Sequence, residues 1–234
     1  LNERLRGGLI RGHHVLVFAR PEAGKTLTLI NMMAGFLYQG LKVLYVGNED
    51  PMSDIVVRVQ SRMTGRSYEE LFKDLDGADA LARERGYDNL TLAALVPGTP
   101  QEIESILETD DFDVLVVDQM RNIRIGKEDN SVVRLEKAAT AMRNIAKKHD
   151  VLVVSATQAG DSATGKAVLE QGDVDNSNTG VPAQADVMIG VGGTREDFSR
   201  NRRVLSLPKN KRSGSHDFFP VQILPEISKM RSLS

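Results

Sequence analysis

The chain has 234 residues, 41% hydrophobic and 26% charged, with a formal net charge of −2 and no cysteine. That length is enough to bury a core; the charge balance excludes a globally cationic surface for gripping nucleic acid, and the cysteine count excludes disulfides and thiolate metal sites. No apolar run approaches the roughly 18 residues that cross a bilayer, and the N-terminus lacks a secretory layout, so a single cytoplasmic domain over 1–234 with no membrane partner is expected. Because the first residue is Leu1 and not Met, an upstream region absent from this chain is also expected.

In chain order, the β-branched run Val15 to Phe18 reads as a buried strand and Lys25 to Gln39 as the amphipathic helix after it. Between them Ala19-Arg20-Pro21-Glu22-Ala23-Gly24-Lys25-Thr26 makes a phosphate-sized turn, in which loop N–H groups and the helix dipole face one concavity. Lys25 offers a charge to the β- and γ-phosphates of ATP, and the Thr26 hydroxyl suits Mg2+. The phosphate-loop pattern asks for Gly where Ala19 stands, which exchanges one small residue for another. Gly160 to Lys166 fits the spacing better, but Ala167 has no hydroxyl to offer a metal and the polar residues up to Asn178 do not continue a helix. That second match reads as a loop.

Strands are further predicted at Val43 to Val46, Leu90 to Leu95, Val114 to Val117, Val151 to Val154 and Val187 to Val191. Helices are predicted at Met52 to Met63, Tyr68 to Arg85, Gln101 to Leu107 and Ser131 to Lys148, with Asp50 capping the first of these and Pro51 at its first position. This alternation specifies an α/β fold, a mainly parallel twisted sheet flanked by helices. Asp161 to Gly180 reads as a long irregular loop. Arg203 to Lys209 and Phe218 to Leu224 read as an antiparallel C-terminal hairpin with a basic loop.

Ligands of open parallel sheets gather at the carboxyl ends of the strands, which is where the candidate residues stand. Asp118 closes an apolar strand and is placed to hold magnesium through water. Glu49 follows the second strand and is a candidate base for the attacking water, or else only enriches a helix N-terminus in negative charge. Gln158 is a candidate γ-phosphate sensor, or else a solvated loop residue. Lys209, Lys211 and Arg212 form a cationic cluster, either a solvated turn or a finger directed at a neighbouring subunit's nucleotide. Arg121, Arg124, Lys127 and Lys166 are candidate contacts to a nucleic-acid backbone, diluted by Glu128, Asp129, Asp161, Asp173 and Asp175. His13, His14, His149 and His216 show no metal-ligand spacing.

Taken together, these residues resemble the C-terminal motor domain of DnaB-type replicative helicases, a RecA-fold family of P-loop NTPases, over essentially the whole chain. The matches are Arg6-Gly-Gly-Leu9 with Gly12, Ala19 to Thr26, Asn48-Glu49, Val116-Val-Asp118-Gln119, Val153 to Gln158 and Ala185-Asp186. The Lys209 to Gly214 loop looks most like bacteriophage versions, in which a primase or accessory region precedes the motor and the host cytoplasm is the setting.

The resemblance implies ATP with Mg2+ bound between subunits of a homo-oligomeric, usually hexameric, ring, single-stranded DNA through its centre, and a primase or loader as a further partner. It assigns Lys25 and Thr26 to phosphate and magnesium, Asp118 to the metal, Glu49 to the base and Gln158 to the sensor. Lys209 and either Lys211 or Arg212 would act in trans; the family's Lys-x-Arg spacing leaves Arg212 one place off. DNA-facing loops would be 121–130 and 159–180. Two other readings are a RadA- or RecA-like recombination ATPase and an ATP-gated assembly module without turnover.

Overall fold

Strands that are apolar at every position need cover on both faces, and the computed structural model, which describes residues 3–127, 130–175 and 179–233, supplies it. β1 (His14–Ala19), β2 (Val43–Gly47) and β4 (Val114–Asp118) are buried throughout, and β5 (Leu152–Gln158) and β6 (Val187–Gly192) nearly so. With β3 (Leu90–Ala94) they form a parallel sheet, which β7 (Arg202–Asn210), β8 (Phe218–Leu224) and β9 (Lys229–Ser232) extend in antiparallel fashion. The order across the nine strands is β3-β2-β4-β5-β1-β6-β7-β8-β9. Between β6 and β7 the register shifts once, between Met188 and Gly190.

The pleat sends alternate residues of each strand to opposite layers. Val15 and Val17 join α1 (Lys25–Leu37) and α2 (Met52–Thr64) in one core, through Leu29, Met33, Ile55 and Val59. Leu16 and Phe18 join α5 (Pro100–Leu107) and α6 (Ser131–Lys148) in the other, through Ile103, Leu135, Met142 and Ile145. Each such side chain contributes about 1.5–3 kcal/mol of burial. The parallel strands therefore all deliver their carboxyl ends to one rim.

Several expectations need correction. Tyr68 to Arg85 is two helices, α3 (Tyr68–Lys73) and α4 (Leu75–Glu84), because Asp74 leaves helical geometry and its carboxylate takes the Gly77 N–H at 3.0 Å, capping a new start. Asp50 does not cap α2: Pro51 holds that position, without a side-chain cap. The C-terminal hairpin carries a further strand, β9, too short and polar to show a period. Short helices α7 (Gly180–Gln184) and α8 (Arg195–Ser199) also occur, the first where loop was expected to end.

Candidate active site

The turn after β1 is built as its residues require. Gly24 sits at φ 110°, a conformation that L side chains rarely adopt, and this lets the chain turn directly into α1. Gly24, Lys25, Thr26 and Leu27 then line one wall of a cleft of about 350 Å3, with Pro21 and Glu22 at its lip. Lys25 is only 7% exposed. Arg20 and Ala23 face elsewhere: Arg20 donates to Asp161 at 2.9 Å, and Ala23 is buried.

β2 and β4 lie side by side, with Gly47 opposite Asp118. Asn48 staples their ends together: its N–H donates to the Asp118 carbonyl at 2.9 Å, while its side-chain oxygen accepts from the Gln119 N–H at 2.7 Å. Glu49, the next residue, is exposed and lines the cleft opposite Lys25. Asp118 lies below, 2% exposed, where its Oδ2 accepts from the Thr26 hydroxyl at 2.7 Å and from the Tyr45 hydroxyl at 3.5 Å. Its Oδ1 is buried without a hydrogen-bond partner. Burial pushes this carboxyl up to about 6, against the Thr26 hydroxyl and the Lys25 charge, and Glu49 and Asp50 push the same way as burial. An orphaned carboxylate oxygen beside a threonine hydroxyl fits a hard, oxygen-seeking cation such as magnesium.

Gln158 ends β5 beside Ala19 and also lines the cleft. Its side-chain oxygen accepts from Arg121 Nη1, and its carbonyl accepts from the Asp175 N–H at 3.1 Å. Arg121 Nη2 also lies 3.4 Å from Asp175 Oδ2. The two expected DNA-facing loops, 121–130 and 159–180, thus meet at Gln158, although residues 128–129 and 176–178 of them lie outside the described residues. Lys166 is neutralised by the buried Asp173 at 2.8 Å. After Lys166 the chain is irregular, as expected for the second glycine-lysine match.

The finger candidates stand apart. Lys209 is opposite Met188 and Asn210 opposite Val187, where β6 begins, so the cluster occupies the rim opposite the phosphate turn. About five strand steps separate the two rims, roughly 16 Å. Lys209 Nζ donates to the Pro182 carbonyl, Lys211 Nζ to Asp186 at 2.7 Å, and Arg212 Nε to the Gly8 carbonyl at 3.3 Å. Among the described residues no group of histidines and carboxylates has metal-holding geometry, and no helix is long and apolar enough to cross a membrane.

Sequence reasoning missed Arg58, which lines the cleft and pairs with Asp50 at 3.5 Å. The signal was their separation of eight residues, about two helical turns, which aligns the charges on one face. It also missed Asn48 as a staple and Tyr45 as a support for Asp118, contacts that only the β2–β4 pairing creates.

With this geometry in place, comparison with known proteins is informative. The "AAA domain" family model matches residues 1–166. The chain is 23% identical over 231 residues to a DnaB-like replicative helicase of Enterobacteria phage T4, covering 90% of this chain and 48% of that protein. It is 23% identical to a probable plasmid replicative DNA helicase of Chlamydia trachomatis, covering 96% and 52%, and 25% identical to a DNA repair protein RadA from that species, covering 72% and 33%. The chain therefore spans a third to about half the length of these relatives.

Among solved structures, the ATPase domain of G40P superposes with a TM-score of 0.85 at 15% identity, covering 98% of this chain and 87% of that one. A structure titled as a DnaB-like replicative helicase and its interactions with primase gives 0.84 at 14% identity, covering 97% and 59%. The RadB recombinase gives 0.66 at 18% identity, covering 100% and 96%. The chain belongs to the AAA domain family, and its fold is the RecA-like one of DnaB-type helicase ATPase domains.

Proposed function

We propose that this chain is the ATP-hydrolysing motor of a DnaB-type replicative DNA helicase, working at the boundaries between subunits of a hexameric ring and moving along single-stranded DNA. The observation that carries this reading is the convergence of Lys25, Thr26, Glu49 and Gln158 on one cleft, with Asp118 directly under Thr26. Magnesium, when bound, supplies positive charge to the β- and γ-phosphate oxygens; Thr26 Oγ1 and, through water, Asp118 are the groups that would hold it.

Lys25 and the N–H groups of the turn bind the phosphates, and the buried setting strengthens their hold. Glu49 takes a proton from the water whose oxygen attacks the γ-phosphorus, the bond to the β-bridging oxygen breaks, and ADP and phosphate result. Gln158 orients that water once its amide leaves Arg121. Lys209 and Lys211 or Arg212, on the opposite rim, are placed for a neighbour's nucleotide and not for their own. A primase or loader as partner rests on the names of the similar proteins.

Glu49→Gln is expected to lower DNA-stimulated ATPase activity at least about 100-fold while nucleotide binding survives. Strand displacement on a forked duplex with and without ATP tests the motor itself. Unchanged turnover in the variant would remove Glu49 as the base. Strand exchange without displacement would favour the recombination reading that the RadA match supports.

A further inference from the structure

Arg203 is an unusual residue to find behind a phosphate turn. It lies on β7, is 8% exposed, and its Nε donates to the Ala23 carbonyl at 2.8 Å. Its guanidinium carbon sits 3.8 Å from the centre of the Phe198 ring. Phe198 in turn packs on Gly193, where a Cβ would come within 2.9 Å of the ring. Asp197, the acidic group whose charge Arg203 feels, is occupied by the Thr194 N–H and hydroxyl at 2.9 and 2.7 Å. Burial lowers the Arg203 pKa, so this is a cation held at a desolvation cost.

The cost has a geometric return. Ala23 C=O and Gly24 N–H belong to one peptide plane, in which the two bonds point in opposite directions. With the carbonyl turned out to Arg203, the N–H of Gly24 turns in to the cleft that Gly24 lines. Glycine at φ 110° leaves that plane few steric barriers to flipping. We infer that Arg203 is a positioning residue that latches the Ala23–Gly24 peptide, so that the Gly24 N–H is aimed at a phosphate oxygen before nucleotide arrives. The inference rests on the nucleotide reading of the cleft.

The test compares Arg203→Met, Arg203→Lys and Lys25→Ala in the whole chain. Arg203→Met is expected to bind fluorescent ATP and ADP analogues about tenfold more weakly, raising KM for ATP with kcat within about twofold. Arg203→Lys, which keeps a donor, should recover most of the affinity. Without nucleotide, the 15N-amide resonance of Gly24 should shift or broaden in Arg203→Met and stay in place in Arg203→Lys. Wild-type affinity in Arg203→Met together with an unmoved Gly24 resonance overturns the latch.

If Arg203→Met does not fold, Phe198→Leu replaces it: loosening the stack should move the Gly24 resonance, and an unmoved one overturns the latch equally. Lys25→Ala separates the two failures. Binding lost in Lys25→Ala but intact in Arg203→Met defeats only the latch, whereas binding intact in both defeats the nucleotide cleft.

Discussion

Asp118 illustrates how one side chain can be costly to the fold and useful to a ligand. Its charge is buried, one oxygen is satisfied by Thr26 and the other has no partner. In Asp118→Asn the buried charge is removed while Thr26 keeps an acceptor. The nucleotide-free variant is therefore expected to melt at or above the wild type at pH 7.5 by calorimetry, and the gain in nucleotide affinity on replacing EDTA with Mg2+ should vanish. A variant that melts several degrees lower and keeps its magnesium increment would remove Asp118 from the metal site. Glu49 differs in kind: it stands exposed at the lip, where a proton taken from water can be released to solvent.

Among the elements, β1 begins with a titratable residue at full burial. The His14 ring bonds the Gln184 carbonyl at 3.0 Å and Ser155 Oγ at 2.7 Å. A carbonyl only accepts, so Nδ1 carries the proton and Nε2 accepts from serine. Burial pushes this ring down from 6.5 to about 4, opposed by the Gln184 carbonyl and Asp186. The unfolded chain protonates His14 below about 6.5 and the folded chain only below about 4, so its contribution is intact above the first value and lost as pH falls towards the second. The loss is on the order of 3 kcal/mol. Urea midpoints at pH 7.5 and 4.5 should differ more in the wild type than in His14→Gln, and equal acid sensitivity would discount the histidine.

The elements also explain what could be read from the sequence. β1, β2, β4 and α6 were legible because full burial or a clean 3.6 period leaves one solution; α6 runs from Ser131 to Lys148 as its stripe predicts. The break at Asp74 was not, because a side chain competing for backbone N–H groups has no periodic signature. Lys25, Thr26, Glu49, Asp118 and Gln158 were legible because they follow strands whose carboxyl ends share a rim. Arg203 was hidden, since only the β6–β7 pairing brings position 203 behind position 23.

For the molecule as a whole, the separation of the Lys209 to Arg212 cluster from the phosphate turn makes the assembled state testable. Lys211 is tied to Asp186, whereas Arg212 donates only to a main-chain carbonyl among its printed bonds, so Arg212 needs less rearrangement to serve a neighbour. Arg212→Ala subunits and Lys25→Ala subunits are each expected to be nearly inactive alone, and mixtures should regain DNA-stimulated ATPase activity in proportion to mixed boundaries. Mixtures that stay inactive would argue against action in trans.

The register shift between Met188 and Gly190 decides where that cluster points. Gly190 faces Ser206 and Met188 faces Lys209, so β7 spends three residues where β6 spends two, with Pro208, which has no N–H to leave unpaired, in the surplus. Strict alternation from Leu205 and Leu207 would have turned Lys209 toward α1; the extra residue inverts the parity, and the ammonium lands on the Pro182 carbonyl of α7 instead. Shortening β7 by that single residue would leave Arg203 where it is and swing every cation beyond it to the wrong side of the sheet.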